Sequence, residues 1–547
     1  MNILGLHSSY NSNTHDPSAC IISDGKVVAA IEEERLNRIK TSSGHFPELS
    51  IKKCLEIADI KIFDIDIVVS DGSSYPPLKD KIQRSLEDRF GYSPEIELVE
   101  HPYAHAAGSF LSSGFEEALI VSVDGLGDKV STLVLNAKKV GSHVKFTELY
   151  RGGADISLGN FYTTFTNYLG FKSVEGEYKV MGMAAYGKPN YDLTRLIGFD
   201  DSQGILYGDN ARYQNLRNYT SINECSYDEE YILSLTKIKR PVYTNGEFQQ
   251  EHFDLAASVQ TTFMRSYIGL INHFKSKVQA KNLCLSGGCA LNCLANKELI
   301  NNGFDQVYVM PAASDRGLSL GAALYYAGTN GISVDPPGDM YLGGAYTNEQ
   351  IANFLKKSSL DYEYLDDPYS ECAADIADGK VIGWLNGRSE FGPRALGARS
   401  ILANPLKLGM KDTLNAKIKF RESYRPFAPA ILRENLEKFV SCNADLSSMV
   451  MTIDAPKSLV NKIPEAVHFD GTTRVQSVRP SKNKNGFYDL LKQVEKRMGF
   501  GAVINTSFNL AGEPIVDTPA DAVRTFYTSG IDVLYLENIK LKKNGFK

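Results

Sequence analysis

NILGLHSSYNSNTHDPSACIISDGKVVAAI (residues 2–31) and ALIVSVDGLGDKVSTLVL (residues 118–135) carry the reading of the fold. The first begins with a short apolar strand, Asn2-Ile-Leu-Gly-Leu-His7, followed by a polar turn from Asn11 to Pro17. Ala19-Cys-Ile-Ile22, the Asp24-Gly25 turn and Lys26-Val-Val-Ala-Ala-Ile31 then predict a hairpin, because Asp-Gly between apolar runs tolerates the positive φ of a tight turn. The second stretch repeats the plan. A strand from Ala118 ends in Asp124, Gly127-Asp128 turns, and Val130–Leu135 returns. The same strand, turn and strand thus recur roughly 115 residues apart. Two copies of one unit predict a duplicated α/β fold with a cleft between its halves.

Outward from these copies the pattern stays α/β. Asn282–Ser286 is a strand leading into Gly287-Gly288 and an apolar helix from Ala290 to Ile300. Gln306–Met310 is another strand, stopped by Pro311, and Ser314-Asp315 caps a helix through Gly321–Tyr326. Asp254–Gln260 begins a long helix. The Gly- and Pro-rich stretch Thr329–Tyr346 marks a boundary, giving a first domain at 1–335, a linker at 336–368 and a second domain at 369–547. The second domain reads as α+β. Beyond the boundary, helices are expected near 351–358 and 371–378, with a buried strand at Lys380–Leu385 and strands at Ala502–Asn505 and Asp532–Leu536. Residues 201–250 have little periodicity and several aromatics. They read either as an insertion shaping a substrate pocket or as a surface elaboration.

Composition excludes several classes. The chain has 547 residues, 43% hydrophobic and 23% charged, which suits a folded protein and not a disordered one. The net charge of −6 argues against a general nucleic-acid binder. No apolar run approaches the roughly 20 residues of a membrane span. The N-terminus lacks a basic, then apolar, signal pattern, so a cytoplasmic location is expected. Eight cysteines without CxxC spacing read as free thiols in the core.

Candidate chemistry lies in separated clusters. His101-Pro-Tyr-Ala-His105 starts a helix, and its histidines, at i and i+4, have Cβ atoms roughly 6 Å apart on one face. They read as a metal pair or as ordinary helix histidines. Asp124 closes a strand and Asp315 starts a helix, and strand ends in a duplicated α/β fold converge on the cleft. Two His and two Asp form a mixed N/O set suited to iron(II), manganese or zinc with positions left open. Singly, Asp124 reads as a turn residue and Asp315 as a helix cap. Ser286-Gly287-Gly288, at a strand-to-helix junction, reads as an anion cradle or as a tight turn. In the turn His15-Asp16-Pro17-Ser18, His15 could take a hydroxyl proton and Asp16 could orient it; an Asx-type turn is the plain alternative.

Arg38 and Lys40, in Glu32–Lys40, read as phosphate ligands or as a solvated helix end. Gly176 and Gly182 flank another charged stretch that includes Lys179. The densest basic cluster spans Arg388, Arg394, Arg399, Lys417, Lys419, Arg421 and Arg425, among glycines. Forked arginine donors suit a small phosphorylated ligand; an ion-pair network with Glu390 and Glu422 is the alternative.

Together these motifs resemble the NodU/CmcH-type O-carbamoyltransferases of antibiotic, toxin and Nod-factor biosynthesis. The residues carrying the resemblance are HDPSA (15–19), EEERLNRIK (32–40), HPYAHA (101–106), VDGLGD (123–128), EGEYKVMGMAAYGKP (175–189), LSGGCALN (285–292), ASDRG (313–317), the run from Gly387 to Ile401, KFRESYRPFAP (419–429), DGTTRVQSV (470–478) and NTSFNLAGEPIV (505–516). The chain departs from the family pattern at Leu36, commonly Phe, at Thr41, often His, and at Arg316 after Asp315.

The resemblance implies an actin-like ATPase (ASKHA) fold followed by a YrdC-like domain. It implies that carbamoyl phosphate and ATP form a carbamoyl-adenylate in the second domain, and that the carbamoyl group passes to a hydroxyl of a small acceptor beside a divalent metal in the first. His101, His105, Asp124 and Asp315 would be the ligands, with Fe²⁺ first and Mn²⁺ or Zn²⁺ next. His15, Asp16, Lys40, Lys419 and Arg421 would be catalytic. Lys179, Gly182, Ser286, Gly287, Gly288 and Asn292 would lie at a nucleotide. Arg388, Arg394, Arg425, His468, Arg474, Asn505 and Asn509 would line the adenylate-forming site. No nucleic-acid or membrane partner is expected. A tRNA threonylcarbamoyl-type transferase and a non-catalytic nucleotide-binding scaffold are the competing readings.

Overall fold

The computed structural model describes residues 1–10, 14–208, 229–241, 248–422, 424–481 and 485–543, which divide into two units. Residues 1–28, 42–337 and 443–445 form the first, and residues 29–41, 338–442 and 446–547 the second.

In the first unit, β1 (Asn2–His7), β2 (Ser18–Ser23), the start of β3 (Lys26–Glu32), β4 (Ile67–Asp71) and β5 (Glu95–Val99) lie in the order β3-β2-β1-β4-β5. β1 is antiparallel to β2, with Leu4 opposite Ile21, and parallel to β4, with Leu4 opposite Val68. Its near-continuous apolar run reflects burial on both faces. The Asp24-Gly25 turn has φ of 48° and 73°, as a two-residue hairpin requires.

β6 (Glu117–Gly127), β7 (Val130–Val140) and β8 (His143–Gly152) join β11 (Asn282–Ser286) and β12 (Gln306–Val309) in the order β12-β11-β6-β7-β8; β9 (Ile197–Asp200) and β10 (Ile205–Gly208) pair separately. β6 is antiparallel to β7 and parallel to β11, just as β1 is to β2 and β4. The duplication expected from the sequence is therefore present in the strand order. The second hairpin turns at Asp128 and Lys129, φ 49° and 65°, one residue beyond the expected Gly127-Asp128.

Helices α1 (His101–Ser113), α2 (Leu158–Tyr168), α3 (Glu177–Ala184), α4 (Gln250–Val278) and α5 (Leu318–Thr329) are among those of this unit. α5 packs on α1, β1 and β4. A Cβ at Gly321 would sit 2.1 Å from Ala104 O, so only glycine permits this approach of α5 to α1. The helix expected at 290–300 is broken into a turn at Gly288–Leu291 and a short helix Cys293–Lys297, because Asn292 caps the latter through Ala295 N–H. Asp315 opens a 3₁₀ turn, Asp315–Gly317, and does not cap α5. Of 201–250, residues 209–228 and 242–247 lie outside the described residues; the rest carries β10 and a helix at Glu229–Thr236.

The second unit is built on β13 (Glu363–Tyr364), β14 (Ile382–Leu385), β15 (Arg399–Ala403), β16 (Ala428–Leu432), β19 (Gln476–Val478), β20 (Ala502–Ser507), β21 (Val533–Leu536) and β22 (Ile539–Lys542), with β17 (Ile453–Asp454) and β18 (Thr472–Thr473) apart. The large sheet runs β13-β22-β21-β14-β15-β20-β16-β19. Helices α6 (Asn348–Lys357), α7 (Pro368–Ala377), α8 (Phe487–Met498) and α9 (Pro519–Tyr527) accompany it. Trp384, Leu402, Phe487, Leu491 and Tyr535 form its core.

Two expected boundaries change. Residues 338–368, expected as a linker, belong to the second unit: the helix expected near 351–358 is α6, and β13 pairs with β22. Residues 29–41 belong to the second unit, held by Arg35 Nη2 donating to Gly392 O at 2.5 Å and Arg38 Nη1 donating to Ile515 O at 2.6 Å. Local pattern could not reveal these ties across more than 350 residues of sequence. Cys20, Cys54, Cys284, Cys293 and Cys372 are buried free thiols. Among the described residues no helix is long and apolar enough to cross a membrane.

Candidate active site

In the first unit, four donors meet. α1 supplies His101 and His105, the irregular end of β6 supplies Asp124, and the turn before α5 supplies Asp315. One ligand atom from each lies within 4.8 Å of all the others. The two Nε2 atoms are 3.1 Å apart; Asp124 Oδ2 is 3.3 Å from that of His101 and 3.5 Å from that of His105. Asp315 Oδ1 is 3.5 Å from His105 Nε2 and 3.6 Å from His101 Nε2. Asp124 can turn inward because β6 slips register between Val123 and Gly127.

A second ring of groups orients the first. Asp71, at the end of β4, accepts from His101 Nδ1 at 3.0 Å and from His7 Nδ1 at 2.7 Å. In the neutral ring that bond would leave the His101 Nε2 lone pair facing the other donors. Gly288 N–H donates to Asp124 Oδ1 at 2.9 Å, and Asp128 Oδ2 accepts from His101 N–H at 2.8 Å. His15 Nδ1 lies 3.1 Å from Asp16 Oδ2, and His15 Nε2 lies 3.8 Å from Asp315 Oδ2. The sequence reading missed Asp71 and His7. Asp71 ends an apolar strand, Ile67-Val-Val-Ser-Asp71, as Asp124 does, and that signal could have found it.

The electrostatics call for a cation. Burial opposes the His101 imidazolium, yet hydrogen bonds to Asp124 and Asp71 and the Asp315 charge hold its pKa well above the ordinary value. Burial opposes the Asp124 carboxylate too, but His101 and His105 hold its pKa well below the usual range. Burial likewise opposes His15, which Asp315, Asp16 and Asp124 raise to about 9. Two half-buried carboxylates, Asp124 and Asp315, thus favour protons on His15, His101 and His105. One divalent ion could supply that positive charge, and the N₂O₂ donor set with a 3.1 Å nitrogen–nitrogen edge suits bonds of about 2.1 Å.

The Ser286-Gly287-Gly288 turn buttresses Asp124: Gly288 N–H is taken by Asp124 Oδ1, and a Cβ on Gly287 would lie 2.2 Å from Val123 O. Asn292 exchanges hydrogen bonds with the Gln260 amide at 2.9 and 3.0 Å. Lys179 and Gly182 lie on α3, with Lys179 5.1 Å from the Phe171 ring centroid.

In the second unit, buried Lys419 Nζ donates to Ser507 O at 2.5 Å, Asn509 Oδ1 at 2.9 Å and Asn509 O at 3.1 Å. Burial, then the charges of Arg421 and Arg425, press its pKa well below the ordinary lysine value. The Arg421 and Arg425 charges thus oppose a proton on Lys419, and an anionic ligand would relieve that repulsion. Arg421 donates to Asn415 Oδ1 at 2.8 Å and lies 4.4 Å from the Phe427 ring centroid; Arg425 is 3.7 Å from Glu422. Burial and then Arg474 lower His468 to about 4, so it is neutral near pH 7. Asn505 Nδ2 donates to Gln476 Oε1 at 2.8 Å. Arg394 and Arg474 are half-buried.

Arg388 is set into the backbone instead, donating to Leu342 O and Gly343 O. Glu390 Oε1 accepts three backbone N–H groups, from Leu396, Ala398 and Arg399. Lys40 pairs with Glu34 at 3.1 Å in the second unit.

Known proteins match both units. The model described as "Carbamoyltransferase N-terminus" matches residues 72–324, and "Carbamoyltransferase C-terminus" matches residues 373–543. The chain is 36% identical over 566 residues to the nodulation protein NolNO of Sinorhizobium fredii, covering 97% of this chain and 80% of that protein. The chain belongs to the carbamoyltransferase family. Over 609 residues this carbamoyltransferase is also 32% identical to the uncharacterised protein sll1178 of Synechocystis, spanning 99% of this chain and 96% of that protein. A solved structure of HypF in the phosphate- and nucleotide-bound form gives a TM-score of 0.35 at 15% identity over 60% of this chain and 55% of that chain, too slight a likeness to bear on the fold. The N-terminal match contains all four converging donors of this carbamoyltransferase, and the C-terminal match contains Lys419, Arg421 and Arg425.

Proposed function

We propose that this carbamoyltransferase uses carbamoyl phosphate and ATP to make a carbamoyl-adenylate in its second unit, and transfers the carbamoyl group to a hydroxyl of a small acceptor in its first. On this reading the first unit is of the actin-like ATPase type and the second is YrdC-like. The convergence of His101, His105, Asp124 and Asp315 carries the transfer half. The Lys419, Arg421 and Arg425 cluster supports the activating half.

Carbamoyl phosphate and water give phosphate and carbamate, and a carbamate oxygen displaces pyrophosphate from ATP. Lys419, Arg421 and Arg425 hold the phosphates and screen the charge that builds on them. In the first unit the acceptor hydroxyl attacks the carbamoyl carbon, AMP leaves, and His15 Nε2 takes the hydroxyl proton. Asp16 orients the ring through Nδ1. A divalent metal, iron(II) first, held by His101, His105, Asp124 and Asp315 would act as a Lewis acid on the transferring group. Its charge would offset the Asp315 and Asp124 carboxylates that otherwise keep His15 protonated.

The test separates the halves. The parent protein should release pyrophosphate from ATP only when carbamoyl phosphate is present, and should add one carbamoyl mass to an acceptor alcohol. His101→Ala should lose bound metal and transfer but retain pyrophosphate release, whereas Arg421→Ala should lose pyrophosphate release. Full transfer by both variants would overturn the assignment.

A further inference from the structure

We infer that Arg316 is a positioning residue which, through Asp16, fixes the tautomer and placement of His15; the inference deepens the transfer site proposed above and rests on that reading. Arg316 is 7% exposed and sits in the 3₁₀ turn whose first residue is Asp315. Its Nη2 lies 3.0 Å from Asp16 Oδ1. A buried guanidinium loses several kcal/mol of hydration unless it is paired. Asp16 is 3% exposed, and its other oxygen, Oδ2, lies 3.1 Å from His15 Nδ1.

The donor inventory then decides the tautomer. An ionised carboxylate only accepts, so its partner on His15 must be Nδ1–H. In the neutral ring the proton-accepting lone pair is then left on Nε2, the nitrogen that faces Asp315 at 3.8 Å. The same turn therefore supplies one of the four converging donors from Asp315 and the anchor of the base from Arg316. That common origin sets the spacing between the two.

The surrounding geometry supports a fixed loop. Asp16 has φ 59°, a left-handed conformation uncommon outside glycine and tolerated best by Asn and Asp. Ser18 Oγ lies 3.0 Å from Arg316 O and 2.8 Å from Ser319 Oγ, and His7 Nε2 lies 2.9 Å from His15 O. The loop is thus pinned at its backbone, while the Arg316 guanidinium acts on the side chain of Asp16. Removing the guanidinium leaves the backbone ties and takes away the cation held against Asp16 Oδ1.

The test uses the full chain loaded with zinc and labelled with ¹⁵N in its histidine rings, the His15 signals being identified by their loss in His15→Gln. The parent should hold its proton on Nδ1. Arg316→Met should keep its zinc but show mixed tautomers at His15, and its kcat for transfer should fall about tenfold to a hundredfold at nearly constant acceptor KM. Arg316→Lys, or millimolar guanidinium added to Arg316→Met, should restore part of the rate. Should Arg316→Met fail to fold, Asp16→Asn carries the test, because its amide can donate to Nδ1 and move the proton to Nε2. An unaltered tautomer in a zinc-loaded variant, or equal losses in the Lys and Met variants, would overturn the inference. The tautomer measurement needs no acceptor, so absence of carbamoyl transfer in the parent would sink the proposed function alone.

Discussion

Asp71→Asn removes the carboxylate that holds two imidazoles at once. Asp71 Oδ1 faces His7 Nδ1 at 2.7 Å and Oδ2 faces His101 Nδ1 at 3.0 Å, and the group is only 5% exposed. Asparagine keeps one acceptor oxygen and puts an NH₂ where the second stood. It can serve one histidine; the other must turn its ring or move its proton to Nε2. If His101 loses, its Nε2 lone pair is blocked. The lost interaction is a charge-assisted hydrogen bond, worth about 1.5–3 kcal/mol. Divided by about 1.4 kcal/mol per tenfold, that predicts a metal affinity roughly 10–100-fold weaker. The assay is competition for Zn²⁺ or Mn²⁺ against a chromophoric chelator, with circular dichroism to establish that the variant is folded. A folded Asp71→Asn variant binding within about threefold of the parent would refute the view that Asp71 orients the site, since even the lower bound is about tenfold.

Two further outcomes are expected. Gly288→Ala would place a Cβ 2.9 Å from Asp124 Oδ1, so the carboxylate must shift; metal affinity should fall about tenfold while the melting temperature changes little, and unchanged affinity would show that Asp124 needs no fixed seat. In chelator-treated protein, the pKa of His15 is raised from 6.5 to about 9, so its contribution to stability is complete below pH 6.5 and is lost as pH rises through about 9. Denaturant unfolding should therefore find about 3 kcal/mol less stability at high pH from this group, and saturating zinc should flatten the profile; no pH dependence without metal would contradict the proximity of His15 to Asp315.

The sequence by itself determined the repeated unit and the donor types. Apolar runs of residues 2–7 and 118–123, each followed by a polar turn and a return strand, report burial and chain reversal, which are local properties. They led to two sheets with matching strand order. The i, i+4 spacing of His101 and His105 is also local, because the helix geometry fixes it. Tertiary structure decided what those residues meet. The approach of α5 to α1 at Gly321 brings Asp315 to the two histidines, and the register slip in β6 turns Asp124 toward them. It made Gly288 a support for Asp124, set Arg388 into the backbone, and assigned residues 29–41 to the second unit. It also added Asp71, His7 and Arg316, which have no local signature beyond a strand end or a turn. Hydrogen bonds and charges act over a few ångströms in space, however far apart their owners lie in the chain. Periodicity can place a residue on an element, but only packing selects its partner.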